Sequence, residues 1–288
     1  MNTVIITDSC TDLPYSYIRE HNIPIVNFTY NFKGVEYTDD FGQTMDYKTF
    51  YNEVRSGEMP TTSQVNVDVY TKLFIPYIED KKSIINLCFS SALSGSYNSA
   101  LIARDMLLEE YSEADITIID TKSASMGEGL IVYYAMQMLE NGASKEEIVQ
   151  WVEHNKLKVA SWFTVEDLNH LKRGGRVSGA AAFIGTMLDI KPILQVDNEG
   201  RLIPISKVKG RKKSLKTLAE KLDENIVNPE EQVIFISHGD SLEDANFLAD
   251  LIRSKHPVKD IVINNVGPVI GAHSGPGTIA LFFLADKR

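Results

Sequence analysis

The first half of the chain alternates strand-length apolar runs with amphipathic helical stretches, and this restricts its fold more than any other feature. Strands separated by helices return to the sheet by crossovers, which gives a mostly parallel sheet with helices on its faces. Residues 4–7 read as a buried strand. Asp12 then starts a helix, with Pro14 in its first turn, that runs to about His21. Residues 23–32 read as one extended run, turned at Lys33-Gly34. Residues 46–56 are helical, with Thr44 a candidate N-cap and Gly57 at the C′ position. Further helices are expected at 66–80, 95–110, 125–141 and 145–155, with strands at 83–89 and 116–119.

The second half has a different pattern. A strand at 159–163 leads to Thr164, which can cap a helix at 165–172 with Asp167 three residues on. Residues 192–196 and 202–206 flank Asp197-Asn198-Glu199-Gly200, which reads as a hairpin. A helix at 214–226, a strand at 232–237, a helix at 242–254 and strands at 261–265 and 278–284 complete the chain. A hairpin beside helices implies a mixed or antiparallel sheet. The expected architecture is therefore two-domain α/β: an N-terminal, mostly parallel, Rossmann-like domain at 1–155 and a C-terminal α+β domain at 156–288, with a ligand cleft between them.

Composition narrows the function. The 288 residues are 43% hydrophobic and 24% charged, enough for a sizeable core, and the net charge is −10. That balance argues against broad nucleic-acid binding, which needs clustered cations, and against docking on anionic lipid. The first eight residues lack the basic region of a signal peptide. No run approaches the roughly 20 apolar residues of a membrane span, so no stable membrane insertion is expected. Cys10 and Cys88 form no motif and read as free thiols in a reducing compartment. The histidines at 21, 154, 170, 238, 256 and 273 lack ligand-like spacing, so no metal site is expected. The reading is a soluble cytoplasmic protein.

Six motifs remain as carriers of chemistry. Asp8-Ser9-Cys10-Thr11-Asp12 follows the first strand, where open α/β sheets bind ligands; plain helix capping explains it equally well. Pro60-Thr61-Thr62-Ser63-Gln64 offers consecutive hydroxyl donors to an anionic oxygen, or is a lead-in to a helix capped by Asn66. Ser90-Ser91-Ala92-Leu93-Ser94-Gly95-Ser96 lies between a buried strand and a long helix, and so brings hydroxyls to a positive helix terminus. It lacks the Gly-Lys pair of a phosphate loop and the spacing of a nucleophile elbow. Leu171-Lys172-Arg173-Gly174-Gly175-Arg176 combines a tight turn with two guanidinium groups, either as an anion grip or as a helix end with Gly174 as its left-handed cap. Gly267–Gly277, with four further glycines and prolines inside it, reads as a rigid loop that can aim His273. The basic run Lys207, Lys209, Arg211, Lys212, Lys213, Lys216 is either a solvated helix start or a surface for an acidic protein partner.

Taken together and in order, Asp8-Ser9-x-x-Asp12, Thr62-Ser63-Gln64, Ser90-Ser91-x-Leu93-Ser94-Gly95-Ser96, Leu171 to Arg176 and Gly267-x-Val269-Ile270-Gly271-x-His273-x-Gly275-Pro276-Gly277 resemble the DegV family of bacterial fatty-acid-binding proteins. The resemblance spans nearly the whole chain; Ser96 departs from the family's usual threonine but keeps the hydroxyl. It implies one long-chain fatty acid buried between two domains, its carboxylate held by Thr62, Ser94, Gly95 and Ser96 with His273 nearby. Ser63, Arg173, Arg176 and Gly271 are candidate supporting residues. It further implies that some members, the FakB type, present the acyl carboxylate to a separate fatty-acid kinase, which makes acyl phosphate for phospholipid synthesis. ATP and magnesium then belong to that partner, Lys209 and Arg211 are candidate docking residues, and the chain itself is not an enzyme and needs no cofactor. The competing reading is a hydrolase or transferase acting on an acyl or phosphorylated small molecule, with Ser94 or Ser96 as nucleophile and His273 as base.

Overall fold

Four parallel strands, β1 (Thr3–Asp8), β2 (Ile25–Val26), β6 (Ser83–Cys88) and β7 (Ile116–Asp120), form a sheet in the order β2-β1-β6-β7. The structure, a computed structural model, describes residues 2–166, 168–177 and 189–288. The runs of Ile and Val in β1 and β6 pair directly, Val4 with Ile84 and Ile5 with Ile85. Both faces of such a sheet are covered by helices, which is why its strands are apolar throughout.

The expected extended run at 23–32 divides in two. Its second part, β3 (Thr29–Phe32), leaves the parallel sheet and joins β4 (Val35–Thr38) and β5 (Thr61–Ser63) in a small antiparallel sheet. Lys33 and Gly34 both have positive φ, 52° and 79°, the geometry a tight hairpin with right-handed twist requires. Thr62 thus lies on a strand opposite Tyr30, not in a loop.

Three helix starts differ from expectation. Asp12 sits in the left-handed region at φ 51°, so α1 (Tyr15–Glu20) begins after Pro14. The helix α2 (Tyr47–Arg55) is capped by Asp46, whose carboxylate accepts from the Thr49 amide at 2.9 Å, while Thr44 is tied to Asp40. Thr164 ends a strand, and among the described residues its hydroxyl has no partner; α7 (Asn169–Gly174) starts after it, and Asp167 lies outside the described residues. The remaining helices of this half match the pattern: α3 (Val67–Glu79), α4 (Ser96–Glu110), α5 (Met126–Glu140) and α6 (Lys145–Asn155).

The third sheet has six strands: β8 (Val159–Thr164), β9 (Ile190–Val196), β10 (Leu202–Lys209), β11 (Val233–His238), β12 (Asp260–Asn265) and β13 (Ile279–Leu284), ordered β10-β9-β8-β13-β11-β12. Only β11 and β12 are parallel; β9 and β10 form the expected hairpin. Every strand of the first two sheets precedes Asn155 and every strand of the third follows it. On one face, Trp162, Ile236 and Leu281 pack with α8 (Arg211–Asn225) and α9 (Leu242–Arg253). On the other, Leu194, Phe163, Ala280 and Ser237 are consecutive cross-strand partners and so line one row. That second face meets α5, whose Leu130, Ile131 and Val132 are wholly buried against both large sheets.

The expected glycine-rich loop contains a helix, α10 (Pro268–Ser274), entered through Pro268 and left through Gly275 at φ 77°. Proline at the first helical position and glycine beyond the last explain how so glycine-rich a stretch still forms two turns. Both cysteines are free and buried. Among the described residues no helix is long and apolar enough to cross a membrane.

Candidate functional site

A cavity of about 310 Å³ lies between the second face of the six-stranded sheet and the strand ends of the first half. Phe163, Ala280 and Phe282 form its sheet-side wall; Phe28, Phe89 and Leu93 stand opposite; Leu171, Val269 and Ile270 close a third side. Thr62, Ser63, Gln64, Ser94, Gly95, Arg176 and His273 bring polar atoms to it. Each half supplies part of this lining, so the cavity exists only in the folded whole.

The polar groups are arranged so that hydrogens, not lone pairs, are left for a ligand. The Ser94 and Ser96 hydroxyl oxygens are 2.9 Å apart, and the Ser96 oxygen accepts from the Val65 amide at 2.9 Å. Ser96 is fully buried, so its own hydrogen has Ser94 as its acceptor. Ser94 also accepts from the Ser96 amide at 3.2 Å. The Ser94 oxygen therefore has both lone pairs engaged and its hydrogen uncommitted.

Thr62 is arranged the same way. Its Oγ1 lies 2.8 Å from His273 Nε2. The imidazole's Nδ1 is buried and, among the described residues, has no partner. A buried bare lone pair is better tolerated than a buried orphan N–H, so Nε2 carries the hydrogen and donates to Thr62. Burial first, and the nearby Arg176 guanidinium second, push the His273 pKa down to about 4. The ring is thus neutral at pH 7, and the Thr62 hydrogen is left to point at a ligand.

Two glycines make this arrangement sterically possible. A Cβ on Gly174 would lie 2.0 Å from His273 Nδ1, and one on Gly95 would lie 2.2 Å from Gln64 Oε1. Gly174 is therefore the residue that admits His273, while the left-handed cap of α7 is Gly175 at φ 68°. The expected assignment of the cap to Gly174 is corrected accordingly. Arg176 lies at the cavity and its Nε donates to the Leu93 carbonyl at 3.3 Å, with a second bond to the Gly174 carbonyl. It faces the ligand space and ties the two halves together.

Other residues singled out in the sequence fall elsewhere. Ser96 sits behind Ser94 and positions it. Gly271 faces Tyr51, whose hydroxyl a Cβ there would meet at 2.6 Å, so it serves helix packing. Arg173 is exposed and contacts His170 at 2.9 Å and Met59 at 3.2 Å. Lys209 is exposed at the end of β10, whereas Arg211 pairs with Asp244 at 2.8 Å.

The Asp8–Asp12 motif does not line the cavity. Asp8 caps the following turn through Cys10 at 3.0 Å and accepts from the Phe89 amide at 2.9 Å. Asp12 accepts from the Gly267 amide at 2.9 Å and from the Ser125 hydroxyl at 2.5 Å, and its own carbonyl accepts from Asn264 at 2.8 Å. Asp39 and Glu128 are buried nearby. Burial raises the pKa of both Asp8 and Asp12 to about 7. Among the described residues no three His, Cys, Asp or Glu side chains are grouped to hold a metal ion. Sequence reasoning named Gln64 only as part of a motif and missed Gly174 as a spacer and the pair Ser125 and Ser237; the last two carry no local signal, because a serine at a helix start or inside a strand is common.

Comparisons with known proteins place the chain among its relatives. The family model described as an uncharacterised protein, DegV family, matches residues 2–286. A DegV domain-containing protein of Clostridium perfringens is 52% identical over 285 residues, covering 99% of this chain and 98% of that protein. The structure of a DegV family protein from Thermus thermophilus, described for its fatty acid binding, superposes with a TM-score of 0.89 at 29% identity, covering 99% of this chain and all of the other. That of DegV from Bacillus subtilis, a fatty acid binding protein, gives 0.85 at 30% identity over the same shares. On its sequence and its fold, the chain belongs to the DegV family.

Proposed function

We propose that this protein is a fatty-acid carrier. One long-chain fatty acid lies in the cavity between the halves, its carboxylate receiving hydrogen bonds from Thr62 and Ser94. The observation that carries this reading is the pair of uncommitted hydroxyl hydrogens at one end of an otherwise apolar cavity. A carboxylate accepts only, so a site offering donors alone suits it. Its burial is costly unless those bonds form, and the N-terminus of α4, beginning at Ser96 beside Gly95, adds a favourable dipole. Each buried methylene contributes about 0.8 kcal/mol, so a sixteen-carbon tail supplies on the order of 10 kcal/mol before ordering costs.

The carrier presents that carboxylate to a separate ATP-dependent kinase, which makes acyl phosphate for phospholipid synthesis. ATP and magnesium belong to the kinase. The exposed Lys172 and Arg173 beside Leu171, and the exposed Lys209 on β10, are the basic residues that would meet it. Support for transport over hydrolysis comes from His273, whose Nε2 engages Thr62, not Ser94, and whose Nδ1 faces Gly174 with no orienting acid among the described residues.

Organic extraction of the purified protein, read by mass spectrometry, is expected to give about one equivalent of fatty acid per chain. A delipidated protein that stays empty when offered palmitate and oleate overturns the reading. With a partner kinase in hand, Lys209→Glu combined with Arg173→Glu is expected to slow phosphorylation several-fold while leaving fatty-acid affinity within about twofold; equal loss of both rejects the docking surface.

A further inference from the structure

An alkyl tail is best surrounded by carbon, yet one stretch of this cavity wall is not. Ser125, Ser237 and Ser274 also line the cavity, and none of them is bonded to Thr62 or Ser94 among the described residues. Ser237 is fully buried in the middle of the six-stranded sheet, beside Ala280 in the row that forms the wall. Its hydroxyl is 2.8 Å from that of Ser125, which in turn donates to Asp12 at 2.5 Å. The Ser125 hydroxyl is thus within donating reach of both Asp12 and Ser237, and Ser237 keeps its own hydrogen and a lone pair for the cavity. Ser125 holds its place with φ 53° and ψ −145°, a conformation that residues other than glycine rarely adopt.

Ser274 adds an independent observation. It is 5% exposed, and among the described residues its hydroxyl has no hydrogen-bond partner. On α10 it follows His273 by one residue, so the two side chains leave the helix about 100° apart. Ser274 therefore points away from the Thr62–His273 contact. The turn after α10 is bonded to the end of β11, Gly277 to the Gly239 carbonyl at 2.8 Å and Gly239 to the Thr278 carbonyl at 2.9 Å. This places Ser274 on the same side of the cavity as Ser237.

We propose that the Ser237–Ser274 wall is a second polar station that binds a hydroxyl group carried along the acyl chain, making this protein a carrier suited to hydroxylated fatty acids. The inference rests on the carrier reading and specifies its cargo. The chemistry separates the two stations. Thr62 and Ser94 offer donors only, which fits a carboxylate. Ser237 and Ser274 each offer a hydroxyl that can give or receive, which fits an alcohol that must both give and receive a hydrogen bond. A plain alkyl chain leaves the Ser274 hydroxyl unpaired in a dry cavity, and an unpaired buried polar group is what a hydroxyl on the ligand would relieve.

Delipidated protein is titrated by calorimetry with stearate and with hydroxystearates bearing the hydroxyl near the head, near the middle and near the far end of the chain. At least one hydroxystearate is expected to bind about tenfold tighter than stearate, the worth of one well-placed buried hydrogen-bonding group. In Ser274→Ala, and in Ser237→Ala as a second variant, the ratio of the two affinities is expected to fall towards one. Thermal melting confirms that each variant is folded. If stearate binds and no hydroxystearate binds tighter, or the preference survives both substitutions, the second station is wrong and the carrier reading stands. If neither stearate nor any hydroxystearate binds, both are wrong.

Discussion

Two polar loops leave neighbouring strands of the same parallel sheet at the same end, and they do opposite things. After β1 comes Asp8 to Asp12; after β6, which pairs with β1, comes Ser90 to Ser96. The first loop is built of carboxylates whose oxygens are occupied by protein donors: Asp8 by Cys10 and Phe89, Asp12 by Gly267 and Ser125. It looks inward and fastens the halves to each other. In the second loop Ser90 also fastens the halves, its hydroxyl donating to the Gly200 carbonyl at 2.9 Å, but the Ser94–Ser96 end is built of hydroxyls whose oxygens are occupied and whose outermost hydrogen is not. It looks into the cavity and waits for an anion. A strand end in an open sheet is a place to put a polar loop, and the balance of donors and acceptors decides whether that loop binds the protein itself or a ligand.

The sharpest way to break the comparison is to remove one anchor from each loop. Asp12→Ala deletes the acceptor for the Gly267 amide and the Ser125 hydroxyl, both buried. A loss of about 3 kcal/mol in unfolding free energy is expected, read by denaturant titration. Ser94→Ala is expected to leave the unfolding midpoint almost unchanged and to weaken fatty-acid binding about tenfold to a hundredfold, the worth of one hydrogen bond to a charged group. If Ser94→Ala proves the more destabilising of the two, the contrast drawn here is wrong.

Titration sharpens it further. Burial raises the folded pKa values of Asp8 and Asp12 to about 7 from the ordinary 3.8 of an aspartate, so the folded protein binds more protons than the unfolded one between those limits. Their contribution is destabilising at high pH and is relieved as the pH falls from about 7 towards 4. His273 acts with the opposite sign. Its folded value of about 4 lies below 6.5, so its contribution is full above 6.5 and is lost as the pH falls towards 4. With two carboxyls against one imidazole, the melting temperature is expected to rise as the pH drops from 8 to 5.5. Asp12→Asn is expected to flatten that rise. A melting temperature that falls over this range in the wild-type protein rejects the assignment of buried, easily protonated acids to the inner loop.

The smallest effect concerns size. Ala280 is the small member of a row whose neighbour is Phe163. Ala280→Leu fills part of the cavity and is expected to shift the preferred chain length down by about two methylenes, or about 1.6 kcal/mol for the longest acids. Competition among saturated acids of graded length reads it directly.

Much of this was written in the chain itself. Alternating apolar and amphipathic runs determined a parallel α/β half, and Asp197-Asn198-Glu199-Gly200 between two apolar runs determined the β9–β10 hairpin, because both are local consequences of side-chain period and turn chemistry. The ordered hydroxyl and glycine motifs carried a family resemblance that pointed to Thr62, Ser94 and His273, and these three line one cavity. What the sequence could not carry was direction. That Asp12 binds the other half, that Ser96 stands behind Ser94, that Gly174 exists to admit His273 and that Ser125, Ser237 and Ser274 share a wall all depend on contacts between residues tens to hundreds of positions apart. Those contacts arise only when the two sheets close on α5, and the hydrogen-bond balance that separates an anchor from a binding site is a property of the closed structure.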